Sequence, residues 1–106
     1  MESNYYDGSE KRNNIRIAYK PNQRPVLKVK QHEFEVADIS ASGLRLLNDR
    51  NIQLGEDWIN LTAILLDGEA IEMEGKIVWR KDDEFGLRLR TFIPKSVMRK
   101  QRQYGN

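Results

Sequence analysis

Trp58-Ile-Asn-Leu-Thr-Ala-Ile-Leu-Leu66-Asp67-Gly68-Glu69-Ala-Ile-Glu-Met-Glu-Gly75-Lys-Ile-Val-Trp79 is the stretch that decides the fold. Its first half is the most apolar run of the chain and reads as a central strand. Asp67-Gly68 supplies the strongest hairpin signal, since a type I′ turn needs positive φ at both central positions. The second half returns with period two, carrying Ile71, Met73, Ile77 and Trp79 on one face and glutamates on the other. Trp58 is expected in the core. Trp79 is expected there too if the strand is regular through Gly75. A bulge at Gly75 would turn Trp79 outward, where its ring could stack a base.

The same period extends to both sides. Val26 to Val29 alternates, Phe34 and Val36 alternate with Glu33 and Glu35 up to Asp38, and Leu44 and Leu46 flank Arg45. Lys81-Asp82-Asp83-Glu84 is a charged turn before a strand marked by Phe85, Leu87 and Leu89. Lys20-Pro21-Asn22-Gln23-Arg24-Pro25 is a turn signal. Pro94 stops the strands and suits the start of a short helix with Val97, Met98, Gln101 and Tyr104 on one face. Six or so short strands and one terminal helix predict an all-β fold, a small antiparallel barrel or sandwich.

With 106 residues there is room for one domain, and 39% hydrophobic content predicts a small core to which both polar ends add little. The chain has no cysteine, which excludes disulfides, thiolate catalysis and zinc–cysteine sites. MESNYYDGSEKR lacks an apolar leader and no run is long enough for a membrane helix, so a soluble cytoplasmic protein without membrane insertion is expected.

The net charge of +2 hides a segregation. Residues 1–10 carry three acids and no base, and residues 11–30 carry seven bases and no acid. Residues 31–93 carry seven bases against thirteen acids, and residues 94–106 carry four bases and no acid. A basic arm beside an acidic body predicts an anionic partner near the arm and argues against a protein that coats nucleic acid.

Two short patterns give that partner a chemistry. Arg12-Asn13-Asn14-Ile15-Arg16 is an RxxxR, and Asp38-Ile39-Ser40-Ala41-Ser42-Gly43 is a DxSxxG, with 21 residues between them. Guanidiniums fork onto phosphate oxygens or the guanine O6/N7 edge, and a carboxylate can accept from guanine N1–H and N2–H. Gly43 permits close backbone approach to a flat ligand or supplies the positive φ of a turn. By phase, Asp38 and Ser40 continue the face of Phe34 and Val36, a local break that often marks a site. The bland alternatives are solvated charges on an arm for Arg12 and Arg16, and an Asx or Ser turn for the second motif. His32 has no partner for a metal site. The Glu33/Glu35 and Glu72/Glu74 pairs, Arg88 with Arg90, and the basic tail read as solvated faces. No nucleophile–base pair or phosphate-cradling glycine loop is present, so binding rather than catalysis is expected.

These motifs, with the later Gly75, Val78-Trp79 and Phe85-Gly86-Leu87-Arg88-Leu89, resemble the PilZ domain family over about residues 10–93. The resemblance implies a six-stranded antiparallel β-barrel with a following helix, and binding of the bacterial second messenger cyclic di-GMP. On that reading Arg12 and Arg16 wrap the ligand from an N-terminal arm, and Asp38, Ser40 and Gly43 hold a guanine edge. Lys11 stands where many members carry another arginine, keeping the charge but losing the fork. Trp79 lies near the site. The implied organisation is a flexible N-terminus over residues 1–9, a barrel over 10–93 with a binding arm over 10–24, and a helix or tail over 94–106. The implied role is a receptor and adaptor that relays the second messenger to a downstream protein. A ligand-independent protein-interaction module is the second reading, and a single-stranded nucleic-acid binder ranks below it.

Overall fold

Short alternating segments joined by tight turns can leave no strand edge unpaired by closing into a barrel. The computed structural model describes residues 15–48, 50, 52–55 and 57–105. The strands are β1 (Arg16–Ala18), β2 (Val26–Val29), β3 (His32–Ser40), β4 (Gly43–Leu47), β5 (Ile59–Ile64), β6 (Ala70–Lys81) and β7 (Glu84–Leu89). A helix α1 (Lys95–Gln101) and a 3₁₀ turn over Arg102–Tyr104 follow. Every pairing is antiparallel, in the order β3-β2-β5-β6-β7-β4, and β4 pairs back onto β3. Six strands thus close a barrel. β1 is one extra strand, with Arg16 opposite Ser40 and Ala18 opposite Asp38. The basic arm is extended there, as its composition predicts.

The decisive hairpin forms, but with a different turn. The Leu65 carbonyl accepts from Gly68 N–H at 2.9 Å, and Leu65 N–H donates to the Glu69 carbonyl at 2.8 Å. The loop is therefore Leu66-Asp67-Gly68, and only Gly68, at φ 91°, is left-handed. A three-residue loop needs one left-handed glycine where the expected type I′ turn needs two such positions.

The core runs through the barrel, with Phe34 and Phe85 meeting edge-to-face at 5.4 Å between ring centres. Contrary to expectation, both ends contribute. Ile17 and Tyr19 from the arm are buried, as are Ile93, Val97 and Gln101 from the C-terminal segment. The Tyr19 hydroxyl donates to Gln101 Oε1 at 2.6 Å, and Tyr19 also bridges to Gly105. Polar composition conceals this because an alternating arm needs only two apolar side chains to pack one face. No helix among the described residues is long and apolar enough to cross a membrane.

Two irregularities position everything that follows. The β3–β4 register shifts between Val36 and Asp38, and the β6–β7 register shifts between Ile77 and Trp79. Each inserts one residue, Ala37 or Val78, and reverses which side chains face outward beyond it. Ile39 therefore takes the core position, and Asp38 and Ser40 leave the face of Phe34 and Val36 that regular alternation assigns them.

Candidate ligand-binding site

The reversed residues meet on the outer surface. Asp38 pairs with Arg45, Arg45 with Gly86, and Gly86 with Trp79, so one row crosses β3, β4, β7 and β6. A parallel row sets Gly43 opposite Arg88 and Arg88 opposite Lys76. An open cleft of about 910 Å³ lies over the first row and over Gly43 and Arg88 of the second, and Arg16, Trp58 and Phe92 also line it.

Asp38 is the anchor. Its side chain is only 6% exposed, and both carboxylate oxygens are engaged: Arg16 Nη1 donates to Oδ1, and Arg45 Nε donates to Oδ2 at 2.6 Å. Arg45 Nη1 also donates to Glu84 at 2.8 Å. A buried carboxylate is costly unless charged donors satisfy it, and these two guanidiniums do so. In return the hydrogen bond to Asp38 raises the Arg45 pKa above its usual range. Partial burial opposes that shift, and the charges of Asp38 and Glu84 add to it. The Arg16 side chain, by contrast, is 51% exposed, so the residue bridges the buried carboxylate and the open cleft.

Ser40 is buried, and its hydroxyl meets the Gly43 carbonyl at 3.4 Å across the tight turn between β3 and β4. Gly43 is not in the left-handed region that a turn reading assigns it. Its constraint is proximity: a Cβ there would stand 2.7 Å from the Leu87 carbonyl oxygen. Glycine at this position lets β4 approach β7.

Trp79 is 41% exposed, which corrects the core position expected from a regular strand. The bulge that turns it outward falls at Val78 rather than at Gly75. The indole lies over Gly86, where an added Cβ would overlap its ring nitrogen. Trp58 is also corrected. It is 38% exposed at the mouth of the cleft, with the Arg90 guanidinium 5.3 Å from its ring centre. Arg88 and Arg90 line the cleft instead of a plain solvated face.

The family model for the PilZ domain matches residues 10–104. The chain belongs to the PilZ domain family. No curated protein matches it. Among solved structures, the PilZ domain is similar to the crystal structure of an uncharacterized protein from Legionella, at 13% identity and a TM-score of 0.54. That likeness covers 84% of this chain and 87% of the other and concerns the fold.

Of the residues singled out in the sequence of this PilZ domain, Arg16, Asp38, Gly43 and Trp79 line one cleft, and Ser40 lies beneath it on the same strand as Asp38. Lys11 and Arg12 fall outside the described residues. Arg45 and Glu84 escaped the motif reading, although a signal for Arg45 was present. Equal counting back from the Ala41-Ser42 turn sets Arg45 opposite Asp38, and its neighbours Leu44 and Leu46 leave it facing outward.

Proposed function

We propose that this PilZ domain is a receptor for cyclic di-GMP that acts as an adaptor. The observation that carries the reading is the Asp38–Arg45–Gly86–Trp79 row. It sets a buried, doubly held carboxylate at one end and an exposed indole bedded on glycine at the other. A phosphorylated purine asks for these groups. The carboxylate accepts from guanine N1–H and N2–H, the indole face stacks a ring, and guanidiniums take the phosphates.

The roles follow from chemistry. Arg16, and Arg12 and Lys11 before it, bring positive charge to the phosphates and to the guanine edge. Asp38 reads guanine when the half-exposed Arg16 side chain turns from its Oδ1 to the ligand, and Arg45 fixes its carboxylate in place. Gly43 gives close backbone access, and Ser40 braces the turn that holds it. Arm conformations in which Arg12 and Arg16 both reach the ligand gain population on binding. The surface changes in shape and charge, and a downstream protein reads the change. Several cations facing a dianion make the affinity fall with rising salt.

Isothermal calorimetry with cyclic di-GMP, and with GTP and cyclic di-AMP as controls, tests the reading. Selective binding at micromolar concentration or tighter is expected, weakening as salt rises. Equal binding of all three nucleotides, or none by folded protein, would sink it. The second outcome would leave the ligand-independent interaction module, which the exposed apolar side chains of the same cleft favour.

A further inference from the structure

Antiparallel pairing sets Arg88 of β7 directly opposite Lys76 of β6. Leu87 and Leu89 on either side of Arg88 are buried, so Arg88 stands on the outer surface, and its paired Lys76 stands on the same side. Both are exposed. Like charges placed directly opposite destabilise a sheet. Elsewhere on this barrel such a position meets an acid, as Lys28 of β2 does with Glu33 of β3 at 4.0 Å. Lys76 and Arg88 make no ion pair among the described residues.

The backbone keeps the two cations together. Leu89 N–H donates to the Ser42 carbonyl at 2.8 Å, and Arg90 N–H donates to the Glu74 carbonyl at 2.9 Å, so the chain just past Arg88 is tied on both sides. A local rule broken on so regular a stretch marks a site.

Its place says what the site takes. Arg88 lines the same cleft as Asp38, and Lys76 lines an adjoining hollow that shares Val78 and Trp79 with that cleft. The third member of the row is Gly43, which puts no side chain beside the Arg88 guanidinium. Arg88 lies two strands across from Asp38 and two residues along. At roughly 4.8 Å per strand and roughly 3.4 Å per residue, the two backbones stand on the order of 12 Å apart. A nucleotide whose base edge sits at Asp38 carries its phosphate away from that edge, toward this distance. We infer that Lys76 and Arg88 take a phosphate of the ligand. An ammonium beside a guanidinium suits phosphate oxygens, whereas a lysine cannot fork onto a base edge. Arg16 must leave Asp38 to reach the ligand, but this pair is in position beforehand. The inference deepens the receptor reading and rests on it for the ligand.

Calorimetric titration of the full chain with cyclic di-GMP, over a series of salt concentrations, tests it. Lys76→Gln and Arg88→Gln should each lose about tenfold in affinity, and their affinities should fall less steeply with salt than that of wild type. Arg88→Lys should keep most of the affinity, because a phosphate needs the charge and not the fork. Arg99→Gln, which removes an equal charge from α1, should stay within about twofold of wild type. Lys76→Glu separates a binding role from a structural one. It places an acid opposite Arg88, so its urea midpoint should equal or exceed that of wild type while its affinity for cyclic di-GMP falls. Wild-type affinity in Lys76→Gln and Arg88→Gln overturns the inference and leaves the receptor reading standing. Equal losses in Arg88→Lys and Arg88→Gln overturn the phosphate assignment. A folded wild type that binds no cyclic di-GMP fails the receptor reading and takes the inference with it.

Discussion

Asp38 and Trp79 occupy the two ends of one cross-strand row, and each reaches the outer surface through a one-residue bulge immediately before it. Regular alternation would turn both toward the interior, the carboxylate with Phe34 and Val36 and the indole with Met73 and Ile77. Two irregularities on different strands thus create one face. Bulges of this kind re-aim side chains at the cost of a local break in the ladder.

Gly86 is the bed of that row. Gly86→Ala should lift Trp79 from the sheet, because the new methyl group would overlap the indole. The variant is expected to fold with a loss of about 1–2 kcal/mol, in line with overpacking. Urea unfolding reads that loss, and a red-shifted tryptophan emission reads the displaced ring. Trp79→Ala should weaken cyclic di-GMP by about tenfold, the scale of one lost stacking contact.

Arg45 holds one of the two Asp38 oxygens and is itself held by Glu84. Arg45→Met should leave the carboxylate with Arg16 alone and destabilise the fold by about 1–3 kcal/mol. Affinity for cyclic di-GMP should drop with it. Arg45→Lys should rescue it only in part, because an ammonium cannot serve Asp38 and Glu84 through one planar fork. Denaturant midpoints and calorimetric titration of the two variants check both statements.

Tyr19 and Gln101 form a buried polar pair 82 residues apart in the chain, and Gln101 Nε2 has no partner among the described residues. Tyr19→Phe should cost about 1–3 kcal/mol, because it leaves Gln101 Oε1 unsatisfied as well. Adding Gln101→Met should recover much of the loss, since an apolar pair carries no desolvation penalty. A double-mutant cycle by chemical denaturation measures the coupling.

The same phenol gives a pH dependence. Burial, reinforced by the charge of Asp67, raises the Tyr19 pKa above its ordinary value of 10.0. The folded protein keeps the proton at pH values where the unfolded chain has released it. The resulting stability is fully present below about pH 10 and is lost as pH rises through the folded value. Wild type should therefore lose more stability than Tyr19→Phe between neutral and strongly alkaline pH, as read by thermal unfolding across that range.

Strand periods and turn residues in the sequence were enough for a small antiparallel barrel or sandwich, because alternation and punctuation are local, and the family resemblance chose the barrel. The motif residues were legible for the same reason. What escaped was where alternation breaks. Still, Ala37-Asp38-Ile39 sets a carboxylate between two apolar residues at a core phase, and Ile77-Val78-Trp79 runs three large apolar residues together. Both are traces of a phase change that a period-two reading passes over. The Tyr19–Gln101 contact left no trace, since it depends on how the two chain ends meet.

The central claim is that cyclic di-GMP binds along the Asp38–Arg45–Gly86–Trp79 row. Amide chemical-shift mapping during titration of isotope-labelled protein tests it most directly. The account predicts the largest shifts at Arg16, residues 38–45, Trp79 with its indole N–H, and residues 86–88, and little change around Asn60, Thr62 and Glu72. Shifts centred on that second group, or spread evenly over the barrel, would contradict it.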